Sequence, residues 1–595
     1  MKKYLILAGS VLFASLTMQS CLDFDDPGAE MNLSSVMGLE YYVGNVDTIP
    51  YRNLPSEESV DKAMNDLKIY FQQAKAGQYN LRGGKEGGLP GEHAYQRQYS
   101  LGPDLYAQYF VVPHKDFMYG SLTSSYNVSA EFNGGPLGAY TMAKNSLMPL
   151  LNHPSIDSIP EMKAINLLYY CLAAQEMADL SGPFTYLEDK KNSEAPENYD
   201  NLEVIYTGIV NNIDTIVACF DYYESASANE RPRWYKDKLQ SLMDEYCTTT
   251  ENRTIDSYKR LANSLKLRMA MHIVEVRPEL AKKWAEEAVA SGVMLSTQDQ
   301  HMIKEGHHPL ANIANSWNDL RLCASFESLL MSLDHPYTKY LFKNNTNEIK
   351  NQVTGEVTPA DTKICGIRSG VLVDDGQQYG QNMRQAYSTF DTEIVKGCPL
   401  YLIKYAEVCF LQAEGALREW NMGDEAEQFY KWGIDNAYME LTNENYKGNG
   451  LSKYKNLTAP KEYVNVDPYG DGDNEAWESV TKIGVKWDDD DDIETKLEKI
   501  ITQKYIALFP LSTEAWTEMR RTGYPKMFPV LNADDGDGSL KQGDIIRRIP
   551  WVPTDPIAVS LVNTSGLKAL GHEKGAVVDD QATRLWWDVA DNNNF

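Results

Sequence analysis

Long apolar runs are scarce in this chain. After Met18 no run approaches the roughly 20 apolar residues that a membrane-spanning helix needs, and a mean hydropathy of -0.45 excludes a polytopic membrane protein. Cysteine is sparse too, with eight in 595 residues and no CxxC spacing. Cys171, Cys219, Cys323, Cys398 and Cys409 lie in or beside apolar helical patterns, so buried thiols are expected rather than disulfides or zinc ligands. Positive charge is in deficit: 56 Lys and Arg face 84 Asp and Glu, for a net charge of -28. Such a surface repels nucleic acid and anionic lipid, and no basic patch offsets it, so no nucleic-acid partner is expected.

Reaction motifs are missing as well. There is no GxSxG elbow, HExxH helix or Walker A loop, and in LRGGKEGGLPGE the Gly84-Lys85 pair is followed by Glu86 and lacks the upstream glycine. A glycosidase needs two carboxylates about 5 to 9.5 Å apart, and acids this abundant make their presence uninformative. The cluster HMIKEGHHP brings His301, His307 and His308 together without a second ligand group, so it reads as an exposed loop rather than a zinc site. No catalytic residue and no metal ligand is assigned, and the chain is read as a non-enzyme. Three acid-rich stretches, DPYGDGDNE, WDDDDDIE and DDGDGS, offer oxygen ligands for a structural calcium, although none completes the EF-hand pattern. WDDDDDIE reads better as a solvated turn, with Asp492 capping the helix that follows and Glu494 favourable in its first turn.

What is present begins at the N-terminus. MKKYLILAGSVLFASLTMQS has two lysines, an apolar run from Tyr4 to Met18 and a small residue, Ser20, directly before Cys21; residues 1–20 read as a secretory leader. A small residue followed by cysteine at the end of such a run resembles the lipobox of bacterial lipoproteins, with Met18 and Gln19 in place of the usual aliphatic and small residues. Asp23, Asp25 and Asp26 resemble the surface-export signal of Bacteroidetes lipoproteins. Cys21 is therefore the expected lipidation site.

The body of the chain is organised as helical hairpins. In YLIKYAEVCFLQAEGALREW, Leu402, Ala406, Cys409, Phe410, Ala413 and Leu417 recur every three or four positions and share one face. Asn421 to Gly423 breaks that helix, and Asp424 with Glu427 offers a capping-box-like start to the next, whose apolar face carries Phe429, Ile434, Ala437 and Leu441. So short a turn forces antiparallel packing. A second unit pairs Leu261, Leu265, Met269 and Ile273 with Leu280, Trp284, Ala288 and Val289, with Pro278 opening the second helix and Gly292 ending it. A looser third joins the Ile165, Leu168, Leu172 helix to the Ile205, Ile209, Ile213, Ile216, Phe220 helix. The hairpins resemble tetratricopeptide units, without the regular spacing of about 34 residues. The expected architecture is all-α: one body over 21–595, its helical scaffold mainly 160–291 and 400–441 with 493–521, interrupted by loop-rich insertions at 76–159, 292–399 and 442–492.

The insertions hold the informative residues. Little helical periodicity runs from Lys75 to Ile159, yet that stretch contains Tyr95, Tyr99, Tyr106, Tyr109, Phe110, Phe117, Tyr119, Tyr126, Phe132 and Tyr140. The chain has 37 tyrosines against 16 phenylalanines, favouring rings with both an apolar face and a hydroxyl. Aromatic platforms edged by Asn, Asp or Arg are the chemistry that sugar rings require. Tyr119, Tyr126 and Trp317, with Asn318 and Asp319 as polar partners, are the candidate ligand-binding residues.

The segments LANSLKLRMAMHI, YLIKYAEVCFLQAEGAL, QKYIALFPLSTEAWTEMRRTGYP, RRIPWVP and TRLWWD, in this order, resemble signature segments of the SusD/RagB family of outer-membrane nutrient-binding lipoproteins. The resemblance covers nearly the whole chain after residue 20. It implies a helical scaffold with ligand-binding loops, no catalysis, no cofactor, and a lipid-anchored position at the outer membrane, exposed on the cell surface. It also implies a SusC-like TonB-dependent transporter as partner and a glycan as ligand, with peptides as the alternative in RagB-like members. Tyr222 to Ile255 departs from the family by its length. Arg520 and Arg521 read as helix-end or ion-pairing residues, and Trp586 and Trp587 as anchors of the C-terminal tail.

Overall fold

The computed structural model describes residues 42–595 apart from 54, 84–90, 115–122, 129–134, 192–194, 226–230, 304–307, 374–376, 379–380, 392–396, 439–449, 471–475, 554, 573–574 and 591–593. Cys21 and Tyr119 lie outside the described residues, as do Phe117 and Phe132.

The helices of the scaffold and of the Trp317 region include, in chain order, α1 Glu57–Asp66, α2 Lys68–Asn80, α3 Gly138–Asn152, α4 Pro160–Leu180, α5 Leu202–Ser225, α6 Arg233–Tyr246, α7 Ile255–His272 and α8 Pro278–Ser291, then α9 Leu310–Asn315, α10 Tyr405–Leu417, α11 Ala426–Asn436, α12 Ile493–Leu508 and α13 Ser512–Thr522. The three predicted hairpins form: α4 packs on α5, α7 on α8, and α10 on α11. The start of α11 differs from expectation, because Glu425 is its N-cap and makes no side-chain cap, while Asp424 accepts the Glu425 N–H at 2.8 Å. Asp492 does cap α12, its Oδ1 accepting the Thr495 N–H at 2.7 Å.

Two further helical layers were not legible in the sequence. α2 packs on α3, which lies inside the 76–159 stretch expected to be loop-rich, and α6 occupies the long Tyr222–Ile255 link and packs on α2. α6 is fixed from inside, for Arg231 donates to the buried Glu161 of α4 at 2.9 Å and Tyr235 also donates to that carboxylate.

α4 lies at the centre. The sequence shows it as one apolar stripe, but every one of its residues is buried, so its polar groups must be satisfied internally. Glu161 receives Arg231, Glu176 receives Arg82, and Asp179 receives Tyr206. α5 corrects the sequence reading in another way: it is long and apolar enough to cross a membrane by length and composition. Its apolar side, from Ile205 through Ile209, Ile213 and Ile216 to Phe220, is instead buried against α4 and α7.

Strands are short and join distant loops. β1 Phe110–Val111 pairs antiparallel with β3 Arg321–Leu322, Phe110 opposite Leu322 and Val111 opposite Arg321. β2 His301–Ile303 pairs with β4 Leu400–Ile403. His301 is therefore not in an exposed loop: it is buried, its ring nitrogens on the Thr249 and Ser257 hydroxyls, and burial lowers its pKa to about 3. His308 is buried too, and His307 lies outside the described residues. The cysteines behave as expected. Cys171, Cys219, Cys323 and Cys409 are buried free thiols, as are Cys247 and Cys365, and Cys398 is half-buried.

Candidate functional site

The tyrosine-rich stretch is core. Tyr95, Tyr99, Tyr106, Tyr109, Phe110 and Tyr140 are all buried, and several hydroxyls are spent on internal bonds, Tyr109 to the Tyr505 carbonyl at 2.6 Å and Tyr99 to Glu176 at 3.0 Å. Tyr126, predicted as a platform ring, is only 1% exposed and lies edge-on to Tyr106 with centroids 5.6 Å apart. A ring in that position cannot stack on a ligand from solvent, so Tyr126 is withdrawn from the candidate site. The physical reason is area: each aromatic ring that leaves water contributes a few kcal/mol, and segments without long helices fill the gap between scaffold helices with them.

Trp317, Asn318 and Asp319 are placed differently. All three are half-buried on the turn that ends α9. The turn is built from backbone bonds: the Trp317 N–H donates to Asn312 O at 2.9 Å and the Asp319 N–H to Ile313 O at 3.0 Å. Asn318 between them takes a left-handed conformation with φ 62°, which asparagine tolerates better than most L-residues. Beneath lies the buried Arg321. Its guanidinium donates to Ala314 O, Asn318 Oδ1 and Gln385 O at 2.6 to 3.0 Å, satisfying a helix-end carbonyl while holding the turn and the 385 segment together. Burial lowers the pKa of Arg321 to about 10.

Residues from elsewhere complete the surface. The exposed His93 stacks on Trp317 with centroids 4.8 Å apart and planes at 30°. Gln96 donates to Asp319 Oδ2 at 2.7 Å. The β1–β3 register carries His114 alongside the turn, where its Nε2 lies 3.0 Å from Asn318 O and 3.4 Å from the Asp319 carboxylate. Gln385 reaches the other side of the His114 ring at 3.2 Å. Four chain segments, 93–96, 114, 317–319 and 385, thus meet around one half-exposed indole edged by amide, carboxylate and imidazole groups. Such a surface offers an apolar face together with donors and acceptors. His93, Gln96, His114 and Gln385 were not identified from the sequence, because no spacing links them; the β1–β3 register brings 110–114 beside 318–322, and the tertiary fold brings the remaining residues to the same surface.

Of the remaining candidates, Asp471, Asp473 and Glu475 of DPYGDGDNE lie outside the described residues, and others have structural roles. Asp489 accepts the Trp487 indole N–H at 3.2 Å and Asp491 pairs with Lys499, while Asp535 accepts Ser125 Oγ at 2.9 Å and Asp537 accepts the Gln581 N–H at 2.8 Å. These carboxylates, proposed as calcium ligands, are engaged by protein donors. One buried trio among the described residues, His272, Glu514 and Glu518, has metal-like spacing. The Lys504 ammonium lies 3.0 Å from Glu514 and 3.4 Å from Glu518 and already supplies the positive charge. Arg521 pairs with the buried Glu414 and Glu518 at 2.7 Å rather than with the acidic surface. Arg520 lies over Trp516 and Trp587, and Trp586 and Trp587 are buried, so the C-terminal tail is docked as expected.

Comparison with known proteins agrees with this architecture. A chitin-binding SusD homologue from Flavobacterium johnsoniae is 30% identical, with a TM-score of 0.73 over 88% of this chain and 99% of its own. SusD homologues from Bacteroides vulgatus and Bacteroides ovatus are each 25% identical, with TM-scores of 0.72 and 0.70 over 89% and 88% of this chain and 99% of theirs. No curated protein sequence matches the chain. Residues 51–588 match the family model described as SusD and RagB outer membrane lipoprotein, and the chain belongs to this SusD-like family.

Proposed function

We propose that this protein is a lipid-anchored, surface-exposed glycan receptor that captures oligosaccharide or polysaccharide and passes it to a SusC-like TonB-dependent transporter. Binding, not catalysis, is its role. The observation that carries the reading is the Trp317 surface: an indole stacked on His93 and bordered by Asp319, His114 and Gln385. Sugar rings match it because their C–H faces cover an aromatic ring while their hydroxyls exchange bonds with surrounding carboxylate, amide and imidazole groups. A chitin-binding relative at 30% identity supports a saccharide ligand. Weak capture suffices for uptake, since tethering beside a pore raises the effective ligand concentration there. Cys21 is the proposed point of lipid attachment.

Affinity electrophoresis of the soluble chain through gels containing a panel of polysaccharides tests the reading. Retention by at least one glycan, reduced about tenfold by Trp317→Ala, is expected; retention by no glycan, or retention unchanged by the substitution, overturns it. Palmitate labelling of the full chain, lost in Cys21→Ala, tests the anchor.

A further inference from the structure

Arg321 is only 2% exposed beneath the Trp317 turn, yet among the described residues no carboxylate accepts a hydrogen bond from it. Its five hydrogen bonds run to uncharged acceptors: Nη1 to Ala314 O and Leu320 O at 3.0 and 2.7 Å, Nη2 to Asn318 Oδ1 at 3.0 Å, and Nε and Nη2 together to Gln385 O at 2.9 and 2.6 Å. Buried arginines of the scaffold are used differently. Arg82, Arg231, Arg268 and Arg521 pair with Glu176, Glu161, Glu407 and Glu414 in turn. A carboxylate takes up a guanidinium fork by itself and ties two elements, whereas uncharged oxygens each take one edge, so the Arg321 plane joins the end of α9, the turn and the 385 segment at once.

Two of those attachments end on residues of the indole surface. Asn318 stands between Trp317 and Asp319 at φ 62°, and the bond from Arg321 to its side chain fixes that left-handed residue, and with it the directions in which Trp317 and Asp319 leave the turn. On the other side the Gln385 carbonyl, gripped by two donors, also accepts the Thr346 hydroxyl at 3.2 Å, and the Gln385 side chain extends from there to His114 at 3.2 Å. Arg321 is itself anchored in β3, opposite Val111 of β1. A lysine at this position would keep the charge but offer its donors from one point, too compact to span Ala314, Asn318 and Gln385.

We propose that Arg321 is a positioning residue for glycan binding: it touches no ligand, and its guanidinium holds Trp317, Asp319 and Gln385 in the mutual arrangement that a sugar ring meets. The inference rests on the glycan-receptor reading. Preorganisation of this kind raises affinity because a surface that must order itself on binding gives up part of the interaction energy to that ordering. Binding strength is therefore set in part by a buried side chain behind the surface, through the turn and the 385 segment that it joins.

Affinity electrophoresis in gels of glycol chitin, starch, xylan and pectin, run with the wild type, Arg321→Lys, Trp317→Ala and the double variant, tests the role. Arg321→Lys should weaken the wild-type retention by about tenfold, and should add less than about twofold in the Trp317→Ala background, since both changes act through the same ring. Hydrogen exchange should localise the change: the Trp317 and Asp319 amides, bonded to Asn312 O and Ile313 O, should exchange about tenfold faster in Arg321→Lys while those of α10 keep their rate. Retention unchanged in Arg321→Lys, a loss fully additive with Trp317→Ala, or unaltered exchange at the turn overturns the positioning role and leaves the glycan reading standing. Absence of wild-type retention in every gel overturns both. If circular dichroism shows Arg321→Lys unfolded, Asn318→Gly carries the test, because glycine accepts φ 62° and the variant removes the Arg321 bond to the turn without backbone strain. Its retention should fall several-fold, and unchanged retention overturns the role.

Discussion

The α7–α10–α12–α13 core and the Trp317 surface use similar side chains to opposite ends. In the core, Arg268 pairs with Glu407 at 2.6 Å, Arg521 with Glu414, and Lys504 with Glu514, all with side chains almost wholly out of water. Each of these charges has its countercharge close by, so the pairs are satisfied internally. Around Trp317 the polar groups are half-exposed, and Asp319 and His114 retain access to solvent. Removing water makes a polar group choose one fixed partner, whereas leaving it partly wet lets it exchange water for a ligand. Sealed pairs thus hold the structure together, and unsealed ones keep the capacity to bond a ligand.

The largest test of this contrast is in the core. Glu414→Ala should destabilise the fold by about 3 to 5 kcal/mol in urea titration, because Arg521 and Arg418 lose a buried partner. A loss under about 1 kcal/mol would mean that the network is as replaceable as a surface one.

Titration probes the same network less drastically. Burial alone would lower the pKa of His272, but Glu514 and Asp179 raise it to about 9. A raised histidine contributes stability that is complete below its unfolded value near 6.5, and it is lost as pH climbs through 9. Burial would raise Glu414, yet Arg521 and Arg418 hold it down at about 2. Its contribution is present above the ordinary carboxylate value and is lost as pH falls towards 2. Unfolding free energy measured from pH 6.5 to 9.5 should therefore decline by a few kcal/mol, and His272→Gln should flatten that decline.

At the surface the balance reverses. Trp317→Ala should cost about tenfold in glycan retention while changing stability by no more than about 1 to 2 kcal/mol, since the ring is only half-buried. Of similar size, Asn318→Ala should cost about 1 to 2 kcal/mol of stability, through a left-handed residue that alanine tolerates poorly and a lost Arg321 bond. Differential scanning calorimetry reads that effect directly.

The hairpins were legible because helical period is a local property: Leu261, Leu265 and Met269 face one way whatever the rest of the chain does. The helices α2, α3 and α6 were missed because aromatic and polar residues interrupt their stripes, and they are held by contacts with α4 and with each other. Of the candidate site, Trp317, Asn318 and Asp319 were legible as an adjacent aromatic and polar triplet. His93, Gln96, His114 and Gln385 were not, since hundreds of residues separate some of them and the short β1–β3 pair that carries His114 to the turn has only two residues per strand.

From the sequence alone came the helical hairpins and the family to which their order belongs, features carried by contiguous residues. The tertiary structure decided which aromatic rings face water. Whether Tyr126 is core and Trp317 is surface depends on how many neighbours remove each from solvent, and burial is a sum over residues distant in the chain that no local pattern contains.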